Sequence, residues 1–354
     1  MTKKKKKLVV ILSCVAAALI LIVFLIAPFT ISALVYDDVF GKRFETSERY
    51  RFYLDDFDGL KADRYEFASD KKQTLVGYRY YIEDEKPRGV VVIAHGFGGG
   101  GHNSYMDVAY YFAQNGYNVF AYDATGNDES GGDCVGGLPQ GVIDLCYAID
   151  FVKGVDALKG LPIMLFGHSW GGYSVCAALN FHPEVKAIAS ISGFHQSSDL
   201  IRAQGVEMAG DIVNALMPYV SSIEQIRFGK YAKATAMGGF ENSQAGVFVV
   251  HSKDDTVVPI QYGYDLYYAN YADNERFQFL QYEDKGHNMI LYSYDGIDYL
   301  NEFSKTANEF FHGKNPTEDE ISEYFKNHLD RGIYSDLLDR ELMRSIVAFF
   351  DSYL

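Results

Sequence analysis

Fifteen residues, Ile163–Ala177 (IMLFGHSWGGYSVCA), constrain the fold more than any other stretch of the chain. Ile163 to Phe166 are consecutive apolar residues, the mark of a strand covered on both faces. Gly167-His168-Ser169-Trp170-Gly171 follows, and Gly172 to Leu179 reads on as a tightly packed helix. A strand that turns directly into a helix forces the residue between them into a strained, exposed conformation, which only small neighbours tolerate. Such a serine stands at the C-terminal edge of a sheet, above a helix N-terminus, where negative charge is favoured. The pattern predicts an oxygen nucleophile at Ser169.

A serine needs a base within reach and a third group to orient that base. Asp255 follows the apolar run Val247–Val250, and His287 follows Phe277–Tyr282. Parallel strands present their C-terminal ends together, so both fall on the edge that carries Ser169. The order Ser, Asp, His suits an elbow nucleophile. Asp254 is a rival orienter, and the spacing of Asp255 to Val257-Val258-Pro259 favours Asp255. Attack on a carbonyl also needs donors for the oxyanion. The Trp170 amide is one, and the Phe97 amide, in the loop after Val90–Ala94, is the other. Gly98 to Gly101 let the backbone of that loop close in on a substrate. No Lys-Ser/Thr pair and no GxGxxG lead into a helix there, which excludes a phosphate loop. His95 and His168 each precede a tight turn and read as supports rather than bases.

The rest of the chain alternates strands and helices. Runs at 64–67, 74–82, 90–94, 118–122, 185–191, 247–251 and 277–282 read as further strands. Stretches at 105–115, 142–153, 262–271 and 341–353 have helical spacing. That rhythm predicts an α/β architecture, a mostly parallel sheet with helices on both faces.

The N-terminus is different in kind. Lys3 to Lys7 precede an apolar run from Leu8 to Ala27, and no further charge appears before Asp37. A signal peptide has an apolar region of about 7–15 residues, whereas about 20 cross a bilayer. Residues 8–35 are therefore read as a transmembrane anchor, with a cleaved signal peptide or a lipoprotein box at Cys14 as weaker readings. The lysines of residues 1–7 belong on the cytoplasmic side, which puts the remainder outside. Residues 36–60 read as a juxtamembrane connection into a domain over 61–354. The formal net charge is −15, and without the leader lysines it is five units more negative. Such a surface repels nucleic acid. Cys134, Cys146 and Cys176 beyond the anchor are an odd number and imply no disulfide framework. No ligand spacing suggests a metal or cofactor. The acids at Asp123, Asp128, Glu129 and Asp133 lack the pattern of a calcium loop and read as a turn-rich surface.

Over about residues 60–354 the chain resembles the alpha/beta hydrolases. It is similar to the branch of serine aminopeptidase-like hydrolases, monoacylglycerol lipases and bacterial carboxylesterases. The residues that carry this are His95-Gly96-Phe97-Gly98, Tyr122-Asp123…Gly126…Ser130-Gly131, Gly167-His168-Ser169-Trp170-Gly171, Asp255-Thr256-Val257-Val258-Pro259 and Gly286-His287. The resemblance implies a helical lid after the strand at 185–191, matching residues 194–243. The loop after Asp123 lacks the Arg and His common there. An insertion at 298–338 is unusual, and both departures are expected near the substrate entrance.

The expected function is an anchored serine hydrolase that cleaves carboxylic esters through an acyl-enzyme and needs no cofactor. Its substrate would be a small-molecule ester or a short peptide. The alternatives are a peptidase on the same triad, with Glu207, Asp211 or Glu224 binding the substrate ammonium, and an inactive binding module. Serine at the elbow excludes an aspartate-nucleophile enzyme.

Overall fold

The computed structural model describes residues 2–83 and 86–354. Its eight strands are β1 (Lys61–Ala68), β2 (Thr74–Tyr81), β3 (Val90–Ala94), β4 (Asn118–Tyr122), β5 (Ile163–His168), β6 (Ala187–Ile191), β7 (Gly246–Ser252) and β8 (Phe277–Tyr282). They form one sheet in the order β1-β2-β4-β3-β5-β6-β7-β8. β2 is antiparallel to β1 and β4, and the pairings from β4 through β8 are parallel. The chain steps from β3 to β4 on one side, then returns to place β5 on the other. The ends of β3 and β5 therefore flank the point where an open α/β sheet forms its crevice.

Continuous apolar strands are required because two cores share the sheet. Val90, Val92 and Ala94 of β3 join Phe120 and Tyr122 of β4 and Leu165 of β5 in one core. Val91, Ile93, Val119, Ala121, Met164 and Phe166 fill the other. A strand alternates its side chains between faces, so both parities must be apolar where both faces are covered.

The rod at the N-terminus comprises α1 (Lys3–Leu21), a π-helical turn (Ile22–Ile26) and α2 (Ala27–Phe40). Together these 38 residues form one helix long and apolar enough to cross a membrane, and its apolar window is wholly exposed. The helix does not stop where the sequence reading placed the end of the anchor at residue 35. It continues five residues further, and Tyr36 and Phe40 are buried against the body.

α3 (Met106–Gln114) covers one face of the sheet, while α4 (Pro139–Gly154) and α5 (Trp170–Ala178) cover the other. Residues 194–243 fold as α6 (Ser197–Ala209), α7 (Ile212–Phe228) and α8 (Ala236–Asn242). α8 belongs to the body, because a Cβ at Gly239 would lie 2.2 Å from the Cys176 carbonyl oxygen of α5. α9 (Tyr264–Tyr271) joins β7 to β8.

After β8 come α10 (Tyr294–Phe311), α11 (Glu318–His328), α12 (Arg331–Tyr334) and α13 (Arg340–Asp351). α13 buries Leu342, Met343, Ile346 and Phe350 under the sheet, and Asp339 caps it by accepting from the Glu341 and Leu342 amides. The 298–338 insertion packs against residues 49–57. Phe52 stacks on Tyr334 at 4.7 Å, Tyr50 meets Phe325 at 5.5 Å, and Arg331 pairs with Asp56. The pairing is carried by aromatic rings from both segments, each covering the other's apolar side.

The acidic loop after β4 departs from the sequence reading in part: Glu129 and Asp133 are exposed among turns, but Asp123 and Asp128 are drawn into a buried network. Asp123 is inaccessible and accepts from the His102 amide and ring at 2.8 Å. Asp128 accepts from the Thr46 amide and hydroxyl at 2.6 Å, while Arg43 donates to the carbonyls of Asp128, Ser130 and Gly132. These carboxylates are occupied by protein donors. All four cysteines are free.

Candidate active site

Ser169 lies between β5 and α5 with φ 58° and ψ −116°. A non-glycine residue in that region is strained by about 1–3 kcal/mol and persists only where its surroundings enforce it. The surroundings are visible in the glycines. A Cβ at Gly171 would fall 1.9 Å from the Ala94 carbonyl oxygen, and one at Gly167 would fall 2.2 Å from the Gly171 carbonyl oxygen. The turn thus wedges between strand ends with no room for side chains. Its backbone is pinned by Ser169 N–H to the Ile191 carbonyl at 2.8 Å.

His287 Nε2 lies 2.8 Å from Ser169 Oγ, and His287 Nδ1 lies 2.7 Å from Asp255 Oδ2. All three side chains are buried. Each sits just past a strand: Ser169 after β5, Asp255 after β7 and His287 after β8. The structure brings together the three residues singled out in the sequence.

The rival carboxylate has a different position. Asp255 Oδ1 accepts from the amides of Val257 and Val258 at 2.9 and 2.8 Å, which leaves Oδ2 to His287 at 2.7 Å and to the His251 ring at 3.3 Å. Asp254 Oδ1 accepts instead from Ser252 Oγ at 2.6 Å and from the Gly286 amide at 2.8 Å. It holds the turn before His287, where Gly286 has φ +59°. Burial opposes ionisation of Asp255, but bonds from His251, His287 and the Val258 amide outweigh it. They hold the carboxyl well below its usual range. An ionised carboxylate is what a protonated imidazole would need beside it.

Phe97 and Trp170 lie at the ends of β3 and β5, and their rings meet edge to face at 5.8 Å. Among the described residues, no protein acceptor takes up the amide of either. The Trp170 indole donates to the Leu138 carbonyl at 2.7 Å, so its ring is committed to packing against α4.

The two supporting histidines are neutral struts. His95 Nδ1 donates to the Gly96 carbonyl at 2.7 Å and its Nε2 accepts from the Ala124 amide at 2.9 Å. His168 spans Tyr105 and the His287 carbonyl. Burial lowers the basicity of both rings.

Two features of the site carried no signal in the sequence. Tyr105 joins His168 to the loop of Phe97, and the rings of Phe40 and Phe44 pack on Phe97 at 5.5 and 4.9 Å. Neither belongs to a motif, and only the tertiary fold brings them here. Glu224, one of three carboxylates considered for an ammonium, is buried and already accepts from the hydroxyls of Tyr36 and Ser197. Burial pushes it up to about 7. Glu207 and Asp211 lie exposed beside the turn between α6 and α7.

Comparison with known proteins gives a consistent outline. The family model described as serine aminopeptidase, S33, matches residues 85–237. That span holds the Phe97 loop and the serine turn, and stops before Asp255 and His287. No curated protein matches the chain. Among solved structures, a Pyrococcus furiosus esterase is similar at 18% identity and TM-score 0.51, over 72% of this chain and 91% of that one. Acetyl xylan esterase 1 from Thermoanaerobacterium is similar at 16% identity and TM-score 0.50, over 70% of this chain and 83% of that one. The acylaminoacyl peptidase of Pyrococcus horikoshii is similar at 18% identity and TM-score 0.51, over 75% of this chain and 44% of that one. At these identities the likeness is one of fold.

Proposed function

We propose that this chain, whose fold is that of the alpha/beta hydrolases, is a serine hydrolase that cleaves carboxylic esters outside the cytoplasm while anchored by its N-terminal helix. The observation that carries the reading is the relay from Ser169 Oγ to His287 at 2.8 Å and on to Asp255 at 2.7 Å.

In the reaction, His287 Nε2 takes the hydroxyl proton as Ser169 Oγ attacks the ester carbonyl. Asp255 fixes the imidazole so that Nδ1 carries its proton inward and stabilises the imidazolium that forms. The amides of Phe97 and Trp170 donate to the oxyanion of the tetrahedral intermediate. His287 then protonates the leaving alcohol, which leaves an acyl-serine. Water, deprotonated by His287, hydrolyses that ester and regenerates Ser169. No step calls for a cofactor.

Ester cleavage is preferred to aminopeptidase action because Glu224 is occupied by two hydroxyls rather than open to an ammonium. The lysines at the start of the rod support a cytoplasmic N-terminus and an outward-facing domain.

A fluorophosphonate probe is expected to label the wild type and not Ser169→Ala, and labelling of the variant would refute the assignment. Hydrolysis of p-nitrophenyl esters against aminoacyl-anilides separates esterase from peptidase. Protease added to intact cells is expected to degrade the domain, and full protection would reverse the orientation.

A further inference from the structure

The N-terminal rod is clasped along its outer half by α7. Tyr36 Oη donates to Glu224 Oε1 at 3.0 Å, Arg227 pairs with Asp37 at 2.6 Å, and the Arg227 guanidinium lies 5.2 Å over the Tyr36 ring. Phe29, Ala33 and Met217 pack into the same core. Further down the rod, Tyr219 Oη donates to the Phe24 carbonyl. Pro28 stands four residues on and has no N–H to offer that carbonyl. The contacts advance in the same sense on both helices: 219, 224 and 227 meet 24, 36 and 37. The N-terminal end of α7, and the turn joining it to α6, therefore reach back beside the apolar part of the rod.

Met208 and Ile212 stand exposed on either side of that turn, and Ile226 stands exposed near the other end of α7. Outside the rod, and among the described residues, the three most exposed large apolar side chains are Met208 at 83%, Ile226 at 74% and Ile212 at 65%. All three lie on α6 and α7. The same pair of helices borders the candidate site. Gln204 of α6 donates to the Val257 carbonyl at 2.8 Å, in the loop that carries Asp255. The rod's own Phe40 packs on Phe97.

We infer that the α6–α7 turn is a second membrane contact, with Met208 and Ile212 seated in the boundary between headgroups and acyl chains beside the rod. Continuity with the apolar helix identifies the occupant as a lipid surface. Glu207 and Asp211 flank the turn and the chain is strongly acidic, so the leaflet it fits is a neutral, zwitterionic one. The α6–α7 side of the candidate site then faces the bilayer, and an amphiphilic ester reaches Ser169 without crossing water. This last consequence rests on the serine-hydrolase reading, whereas the docking itself does not.

The test uses the full chain in phosphatidylcholine vesicles. Met208→Trp adds a fluorophore to a protein whose one tryptophan, Trp170, is only 2% exposed. Phosphatidylcholine brominated near the headgroup is expected to remove on the order of half the added emission. Emission untouched by brominated lipid but quenched by aqueous acrylamide overturns the proposal, as does burial of the turn in a dimer. In a second arm, Met208→Glu with Ile212→Glu is expected to lower hydrolysis of a long-chain ester carried in the vesicles about tenfold. Hydrolysis of a short soluble ester stays at the wild-type rate. Equal loss on both substrates overturns the membrane-facing entrance. If the wild type cleaves neither ester, the serine-hydrolase reading fails, and the bromine measurement still decides the docking.

Discussion

His168 Nε2 lies 3.0 Å from the backbone carbonyl of His287, and the Nδ1 of the same ring lies 2.9 Å from the Tyr105 hydroxyl. Tyr105 in turn accepts from the Gly96 amide at 3.1 Å. The ring is neutral, with Nε2–H donating and Nδ1 accepting, because burial and the neighbouring His287 lower it to about 3. Three hydrogen bonds thus run from the loop that carries Phe97 to the loop that carries His287. The residue before the nucleophile joins the oxyanion side of the site to the base.

This bridge predicts a pH-dependent penalty for His168→Ala. The substitution strands the His287 carbonyl and the Tyr105 hydroxyl, at about 1–3 kcal/mol for each buried group left without a partner. Below the ordinary histidine range the unfolded chain takes up a proton that the folded ring refuses. The wild type therefore loses stability as pH falls from about 6.5, by about 2 kcal/mol at pH 5. The variant lacks that loss. The difference between their unfolding midpoints should be widest above pH 6.5 and should narrow towards pH 5. A constant difference would show that the ring is protonated in the folded protein.

Asp255→Asn and Asp254→Asn should separate sharply. The first leaves His287 without the carboxylate that selects its tautomer, a change worth about 10⁴ in kcat in a serine triad. The second keeps an oxygen able to accept from Ser252 and Gly286, and should cost less than about tenfold. Steady-state rates on a short p-nitrophenyl ester give the comparison, and the reverse ranking would exchange the two roles.

The parts of the site that could be read in the sequence share one property: they are fixed by local rules. β3 and the first four residues of β5 are apolar without a break because both faces are covered, so they stand out as runs. Ser169 and Asp255 follow such runs, His287 follows the more polar edge strand β8, and parallel strands bring their ends to one edge. What could not be read depends on contacts between distant segments. Nothing in Ala27–Phe40 marks Tyr36 for Glu224, 188 residues away. Asp128 looks like part of a solvated turn because Thr46, which satisfies its carboxylate, comes from a segment whose fold has no periodic signature. The packing partners of residues 298–338 could not be read for the same reason, since they lie at 49–57, before the first strand.

Gly171→Ala should disable the elbow without touching the triad. Its Cβ would lie 1.9 Å from a backbone carbonyl at the end of β3, which no rotamer can relieve. Either α5 shifts or β3 separates from β5, and both displace Ser169 from His287. Loss of fluorophosphonate labelling together with a lowered unfolding midpoint is expected. Gly154→Ala, where nothing lies within 4 Å of the new atom, is the matched control and should leave both unchanged.

Glu224→Gln tests the clasp between the rod and the helices over the site. Burial raises the carboxyl from the ordinary value of 4.5 to about 7, against the opposing bonds from Ser197 and Tyr36. Between those two values the folded state holds a proton that the unfolded chain has released, so stability falls as pH rises through this window. The loss is complete above about pH 7 and amounts to roughly 3 kcal/mol. Glutamine offers the same accepting oxygen to both hydroxyls and never ionises. The variant should match the wild type near pH 4.5 and unfold at a higher temperature at pH 8. Turnover of esters and of aminoacyl-anilides should be unchanged, because the group meets the rod and not the substrate. A selective loss of anilide turnover would instead give Glu224 to the substrate and favour a peptidase.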